Sequence, residues 1–266
     1  MNSMAPQLAE LLLHAGEKGT VVFTGAGVST ESGIPDFRSP GGIWSRYTPI
    51  QYSAYVMDAA ARRESWRRGL EAYADMATAQ PNAAHLAIFA WYRAGLVNGV
   101  VTQNIDGLHQ ASGIPAEAVV ELHGNAHYVG CLTCPARFER AIVQERVVAG
   151  ELDPACPSCG GILKTTTVSF GQPLPEDAVA EAHRLHASAR LCLVVGSSLV
   201  VYPAAGLPEV TLESGGRLAI VNREPTHLDE LAIFVAHETA GELLAATDRL
   251  VRKRGEAVAR DPEHLG

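Results

Sequence analysis

Four short apolar runs, each ending in small or polar residues, most constrain the fold of this 266-residue chain. They span residues 19–24, 97–102, 191–195 and 217–221, and helical patterns lie between them. Continuous apolar strands that alternate with helices are typical of a parallel sheet covered on both faces. Because ligands bind beyond the carboxyl ends of such strands, the polar strand ends are candidate binding sites. The pattern therefore predicts an α/β fold.

Two stretches interrupt this alternation. Residues 43–80 are rich in Ala, Arg and Glu with helical spacing, and residues 127–164 contain four of the five cysteines. We interpret both as insertions that together form a smaller lobe. The predicted large domain then consists of residues 1–42, 81–126 and 165–266, with a helical insertion at 43–80 and a zinc-ribbon insertion at 127–164.

The zinc prediction rests on cysteine spacing. Cys131 and Cys134 form one Cys-x-x-Cys pair, and Cys156 and Cys159 form a second after 21 intervening residues. Each pair can direct two thiolates at one ion from a tight turn, and two pairs complete a tetrahedral site. Disulfides are disfavoured in an intracellular chain, and a redox motif would need no second copy. Four thiolates close the coordination shell, so we expect a structural zinc ion. Cys192, in an apolar run, is expected in the core.

Composition argues against several partners. The net charge of −8 disfavours binding to nucleic acid through general electrostatics, because such proteins concentrate Lys and Arg. The amino terminus lacks the basic start and apolar core of a secretory signal, so we expect a cytoplasmic protein. The uncharged stretch 191–208 approaches the length of a membrane span, but Gly196 and Pro203 interrupt it. We therefore expect no membrane partner.

A glycine turn follows the first apolar run. Gly25-Ala26-Gly27 resembles the opening of a dinucleotide fingerprint, but Thr30 stands where the third glycine belongs. A simple tight turn explains the two glycines equally well. The loop beyond it carries an acid, an aromatic and a cation at 36–38, and we expect the turn to free N–H groups for phosphate.

These motifs together resemble the sirtuin (Sir2) family of NAD-dependent protein deacylases. In order, the resembling segments are 25–38, 102–109, 121–124, the paired cysteines, 168–171, 196–198 and 221–222. They extend over nearly the whole chain. The resemblance implies a Rossmann-like parallel sheet as the large domain and a small lobe of zinc ribbon plus helical module. NAD and an acyl-lysine protein or peptide would meet in the cleft between the two.

The resemblance also implies an activity and a set of site residues. It implies a protein-lysine deacetylase that transfers the acetyl group to ADP-ribose, releasing nicotinamide and O-acetyl-ADP-ribose. His123, at the end of another apolar run, matches the general base, for which an imidazole is suited. The implied catalytic residues are His123, Asn104 and Asp106. The implied NAD contacts are Gly25, Ala26, Gly27, Ser29, Asp36, Phe37, Arg38, Gln103, Asn104, Ile105, Asp106, Gly196, Ser197, Ser198 and Asn222. The implied zinc ligands are Cys131, Cys134, Cys156 and Cys159. The implied peptide contacts, expected in two edge strands, are Val168, Ser169, Phe170, Gly171, Val200 and Val201.

Several alternatives stay open. After a strand, Asn104 or Asp106 is also suited to cap the next helix. The same cleft is compatible with desuccinylation, mono-ADP-ribosyl transfer or NAD hydrolysis, and a non-catalytic NAD sensor or a conventional dehydrogenase is a further alternative. Sirtuins that favour acidic acyl groups carry a Tyr and, three residues on, an Arg, where this chain has Trp66-Arg67-Arg68-Gly69. We therefore expect a preference for uncharged acyl groups, acetyl first. Gln172 and the run 164–167 depart from the common pattern and leave peptide preference open, and a monomer is plausible.

Overall fold

A six-stranded parallel sheet forms the centre of the large domain. The structure is a computed structural model that describes residues 4–17, 19–36, 42 and 47–260, with the backbone alone for 255–260. The sheet contains β1 (Thr20–Thr24), β2 (Val97–Thr102), β3 (Val119–Glu121), β7 (Leu191–Val195), β8 (Arg217–Val221) and β9 (Phe234–Ala236). The strand order is β3-β2-β1-β7-β8-β9. Strands β2 and β3 therefore extend the sheet on one side of β1, and β7, β8 and β9 extend it on the other side. This confirms the predicted parallel sheet.

Helices cover both faces of this sheet. In chain order they are α1 (Ala5–Ala15), α2 (Tyr52–Met57), α3 (Ala59–Thr78), α4 (Ala83–Arg93), α5 (Leu108–Ala111), α6 (Arg140–Val148), α7 (Glu176–Ser188), α8 (Leu207–Glu213) and α9 (Ala240–Arg260). Leu12 of α1, Ile88 of α4 and Leu243 of α9 pack with strand residues on one face. Leu185 of α7 and Leu207 of α8 pack on the other face. The strands are mostly apolar because helices cover both faces of the sheet, and β1 and β7 are buried along their whole length.

The central strands are fully buried. All five residues of β1 are buried, and β1 pairs in register with β7 from Thr20↔Leu191 to Thr24↔Val195. Cys192 of β7 is completely buried within this arrangement, which confirms its expected core position. The register brings the carboxyl ends of β1 and β7 to the same edge of the sheet. The residues that follow each strand therefore meet there.

The two insertions share one small core. A three-stranded antiparallel sheet, in the order β5-β4-β6, comprises β4 (Tyr128–Cys131), β5 (Arg137–Glu139) and β6 (Leu163–Thr165). Trp66 of α3 packs in this core with Val129 of β4 and Val143 of α6. The Tyr55 hydroxyl also donates to the Leu163 carbonyl at 2.7 Å, which ties α2 to β6. Zinc-ribbon and helical segments thus form one lobe, as predicted, while the exact domain boundaries stay a prediction.

The uncharged stretch 191–208 divides into β7, a loop, a short 3₁₀ turn and the start of α8. Among the described residues, no helix has both the length and the apolar character needed to cross a membrane.

Candidate active site and metal centre

A large cavity lies at the carboxyl ends of β1, β2, β7 and β8. Its volume is about 1020 Å³, which is sufficient for a dinucleotide-sized ligand. Most of the predicted site residues line it: Gly25, Ala26, Gly27, Asp36, Gln103, Asn104, Ile105, His123, Val168, Ser169, Phe170, Gly171, Gly196, Ser197, Ser198, Val201 and Asn222. The strand ends that the sequence singled out therefore converge on one cavity.

Three of the described residues predicted to contact NAD or peptide do not line this cavity. Ser29 and Asp106 are buried behind its wall, at 1% and 5% exposure. Val200 lies outside and is 53% exposed. Phe37 and Arg38 lie outside the described residues.

Close contact between two turns explains the glycines at the cavity floor. Gly27 N–H donates to the Gly196 carbonyl at 2.8 Å, and Gly25 N–H donates to the Val195 carbonyl at 3.1 Å. Gly196 has a φ of 62°, and a Cβ there would lie 2.2 Å from the Val28 nitrogen. The chain then continues as a 3₁₀ helix, Ala26–Ser32. The expectation that this turn frees its N–H groups is wrong for Gly25 and Gly27, because both donate to protein carbonyls.

This close contact predicts a large cost for Gly196→Ala. A Cβ at this position combines the strain of positive φ with overlap against backbone, so we expect a loss of about 3 kcal/mol or more in the free energy of unfolding. Gly95→Ala is the matched control, since Gly95 has a φ of 73° but nothing within 4 Å of the added Cβ. The Gly95→Ala variant should lose only about 1 kcal/mol in the free energy of unfolding, because the strain of positive φ is its only cost. Urea unfolding measures both losses, and equal losses would contradict the argument.

A buried polar network fixes Asn104 at the cavity wall. Asn104 Nδ2 donates to Ser29 Oγ at 3.1 Å, and the Ser29 hydroxyl in turn donates to Asp106 Oδ2 at 2.7 Å. The other oxygen of Asp106 accepts from the Leu108 N–H in the first turn of α5, at 3.0 Å. The carboxylate therefore both binds the first N–H of α5 and, through Ser29, orients the Asn104 amide.

His123 is held in the tautomer that a base requires. Its Nδ1 lies 2.9 Å from the Gln103 carbonyl oxygen. Because a carbonyl can only accept, Nδ1 carries the proton and donates, and Nε2 of the neutral ring keeps its lone pair. Burial lowers the pKa of His123, while the bond to the Gln103 carbonyl opposes that shift. A neutral imidazole with an available Nε2, lining the cavity, is suited to accept a proton from a bound hydroxyl group.

Side-chain contacts also join the ends of β2 and β7. Gln103 Nε2 donates to Ser197 Oγ at 2.8 Å, and the same hydroxyl oxygen accepts from the Leu199 N–H at 3.3 Å. Both side chains line the cavity. This connection fixes the loop after β7 relative to the loop that carries Asn104.

One end of the cavity contains residues that sequence reasoning missed. Arg223 directly follows the predicted Asn222, and its guanidinium donates to Thr30 Oγ1 at 3.1 Å. Glu31 accepts from the Gly241 N–H at the start of α9, at 2.7 Å. Among the described residues that line the cavity, Arg223 alone has an arginine or lysine side chain. In the sequence, only its position next to Asn222 indicated that Arg223 lies at the cavity.

The two segments expected to flank a peptide are loops. Residues 168–171 and 196–201 line or adjoin the cavity but belong to no strand, so the edge-strand expectation is wrong for the chain by itself. Positive φ angles at Gly171 (79°), Gly196 (62°) and Leu199 (54°) take the backbone out of the extended conformation. The segments nevertheless lie at the cavity where the sequence predicted substrate contacts.

The four predicted zinc ligands form a compact cluster. Their Sγ atoms all lie within 4.8 Å of one another, with Cys131–Cys159 at 3.6 Å and Cys134–Cys156 at 3.8 Å. Tetrahedral zinc with Zn–S bonds of about 2.3 Å requires sulfur separations of about 3.8 Å, so the cluster fits one zinc ion. Hydrogen bonds from the Thr133 N–H, the Cys134 N–H and the neighbouring thiols lower the pKa of the Cys131 thiol to about 6, which favours the metal-binding thiolate.

Comparisons with known proteins agree with this geometry. The Sir2 family model matches residues 25–203. An NAD-dependent protein deacetylase of Rhodopseudomonas palustris is 47% identical over 244 residues, covering 92% of this chain and 96% of that protein. NAD-dependent protein deacetylase 2 of Streptomyces coelicolor is 45% identical, covering 87% of this chain and 97% of that protein.

Solved structures show the same likeness. A complex of Sir2 with a p53 peptide and NAD⁺ has a TM-score of 0.82 and 37% identity, covering 94% of this chain and 98% of that one. A Sir2 variant with a deacetylated p53 peptide and 3′-O-acetyl ADP-ribose has a TM-score of 0.85 and 36% identity, covering 92% of this chain and 97% of that one. The sequence motifs, the cavity and these relatives together show that the chain belongs to the Sir2 family.

Proposed function

We propose that this protein is an NAD-dependent protein-lysine deacetylase that transfers the acetyl group to ADP-ribose and releases nicotinamide. The observation that carries the proposal is the neutral His123, which lines a dinucleotide-sized cavity beside Gln103 and Asn104. The names of the relatives support NAD and a protein or peptide substrate. NAD, when bound, supplies both the ribose that accepts the acetyl group and the nicotinamide leaving group.

The chain's own residues then have distinct tasks. His123 Nε2 accepts a proton from a ribose hydroxyl, and the Gln103 carbonyl stabilises the resulting imidazolium through Nδ1. Asn104 and Gln103 bind the ligand from the strand end, while Asp106 positions Asn104 through Ser29. The predicted peptide segments 168–171 and 200–201 lie at the cavity or next to it, where an extended backbone can bind.

One incubation separates this function from its alternatives. The protein is incubated with NAD and an acetyl-lysine peptide, and the products are measured by mass spectrometry. We expect nicotinamide, unmodified peptide and O-acetyl-ADP-ribose in equal amounts. Free ADP-ribose with the peptide still acetylated would favour NAD hydrolysis, and an ADP-ribosylated peptide would favour mono-ADP-ribosyl transfer. NAD binding without turnover would favour a sensor, and reduced nicotinamide would favour a dehydrogenase.

The lowered pKa of His123 predicts the acid limb of the pH profile. The base works only when neutral, so kcat/KM falls as pH drops through the pKa of His123 in the free enzyme. Because burial lowers that pKa, we expect the midpoint below about 6.5, the ordinary histidine value. The measurement is kcat/KM between pH 5 and 8, with a stability control at each pH. An acid limb centred above 6.5 would contradict the assignment.

The arginines of the helical insertion support a preference for uncharged acyl groups. Arg67 and Arg68 both bind Glu64 at 2.7 Å, and neither lines the large cavity. An acidic acyl group would therefore enter without a described arginine from this helix to pair with it. We expect kcat/KM for an acetyl peptide to exceed that for a succinyl peptide by about tenfold or more. A butyryl peptide, similar in length but uncharged, separates the effect of charge from that of size, and equal or better turnover of the succinyl peptide would contradict the prediction.

A further inference from the structure

A second cavity, partly open to solvent, lies in the small lobe. Its volume is about 120 Å³. It lies between α2, α3, α6 and β6, and its lining residues are Tyr55, Ser65, Trp66, Gly69, Arg140 and Thr165. None of these residues lines the large cavity, so this is a separate site. Hydroxyl groups, an indole and a guanidinium make its wall predominantly polar.

Arg140 is a buried cation without a carboxylate partner. It is 5% exposed, and no carboxylate among the described side chains forms a salt bridge with it. Its guanidinium has five N–H bonds. One donates to Gln144 Oε1 and one to the Gly69 carbonyl, both at 3.2 Å, and the other three have no hydrogen-bond acceptor among the described residues. Burial lowers the pKa of Arg140 only to about 10, so the group stays charged at neutral pH.

The aromatic neighbours compensate only part of this charge. The guanidinium carbon lies 4.8 Å from the centre of the Tyr73 ring and 5.4 Å from that of Trp66. Such contacts contribute about 0.5–2 kcal/mol each, whereas burying an ion without a counter-ion costs several kcal/mol. Helix α6 begins at Arg140 with no acidic residue in its first turn and no side-chain cap. Glu139 precedes Arg140 at the N-cap of α6 and acts on the nearby Tyr73, but no described carboxylate forms a salt bridge with the guanidinium.

Size and donor geometry define the class of anion. A volume of about 120 Å³ equals that of roughly four water molecules, which a tetrahedral oxyanion of five heavy atoms also occupies. The planar guanidinium fork matches oxyanions such as phosphate better than it matches a halide. Ser65 on α3 provides a hydroxyl group in the same cavity wall.

We propose that this cavity binds a small inorganic oxyanion, of the phosphate or sulfate class, on the Arg140 guanidinium. The anion would join α3 of the helical insertion to α6 of the zinc-binding insertion and so stabilise the small lobe. The segment beyond β6 connects the site to the large cavity, because Thr165 Oγ1 lies 2.9 Å from Thr167 Oγ1, and Thr167 lines the large cavity.

Thermal unfolding of the zinc-loaded full chain tests the site. The Tm is measured with increasing inorganic phosphate and with chloride at the same ionic strength. We expect saturating phosphate to raise the Tm by about 5 °C beyond the effect of chloride. The proposed function places the phosphates of NAD in the large cavity, so the decisive quantity is the difference in phosphate-induced Tm shift between wild type and Arg140→Met. Arg140→Met removes the charge and keeps apolar contact with Trp66, so it should fold and lose most of the phosphate effect.

Two further variants keep the test decisive. Arg137→Met removes an exposed arginine of the neighbouring β5 and should keep the full phosphate effect. Ser65→Glu supplies a carboxylate to the cavity, so it should raise the Tm without phosphate and abolish the Arg140-dependent response. If Arg140→Met does not fold, the Tm and the phosphate response of Ser65→Glu decide whether the proposal holds. The proposal is overturned if wild type responds to phosphate no more than to chloride, or if the folded cavity variants respond as wild type does.

Discussion

His123→Ala is expected to lower the rate of deacetylation by about 10²- to 10⁴-fold, the range that a positioned general base contributes. The ring of His123 makes its only described side-chain hydrogen bond to the Gln103 carbonyl, so its loss should leave the fold intact. NAD binding should change little, because the proton transfer belongs to the reaction and not to the bound ground state. Single-turnover rates with an acetyl-lysine peptide, together with NAD affinity by calorimetry, measure the two effects separately.

His183→Ala is the matched control for this variant. His183 is exposed on α7 and lines neither cavity, so its removal should leave rate and affinity unchanged. A His123→Ala enzyme that keeps more than a tenth of the wild-type single-turnover rate would remove the general-base role. Loss of NAD affinity equal to the loss of rate would instead make His123 a binding residue.

The central sheet was predictable because its strands are buried on both faces. Such strands consist mostly of apolar residues, and β2, β7 and β8 have the predicted bounds although β2 contains Asn98 and β8 begins with Arg217. Edge strand β9 is three residues long and was missed. A strand this short depends on pairing with β8 more than on its own pattern, so its sequence carries little signal.

The cavity was predictable where its residues follow strands. Parallel strands bring their carboxyl ends to one edge, so Gln103, Ser197 and Asn222 meet although they are distant in sequence. Glu31 and Gly241 are 210 residues apart in sequence, so no local sequence pattern predicts the hydrogen bond between them. The free N–H groups expected at the glycine turn were wrong for a related reason, since Gly196 approaches that turn from another strand.

The zinc centre should determine whether the small lobe folds. Its buried core contains few residues, namely Trp66, Val129, Val143, Val147, Cys156 and Leu163, and one of these is itself a ligand. Structural zinc contributes an apparent 10–16 kcal/mol or so in small zinc domains, comparable to the whole stability of a typical domain. Cys131→Ala leaves three thiolates, so we expect loss of bound zinc, an unfolded small lobe and no deacetylase activity. Metal analysis, circular dichroism and turnover measure these three effects.

Cys192→Ala separates zinc ligation from the general cost of removing a thiol. Cys192 is completely buried in β7, among apolar side chains and distant in sequence from the four ligands, so its loss should cost only about 1–2 kcal/mol and leave one zinc ion bound. A Cys131→Ala protein that is soluble, folded, zinc-free and active would show that the small core suffices without metal. If chelation of wild type lowers activity and added zinc restores both small-lobe structure and turnover, the ion acts through the fold, because four thiolates leave it no open position for substrate.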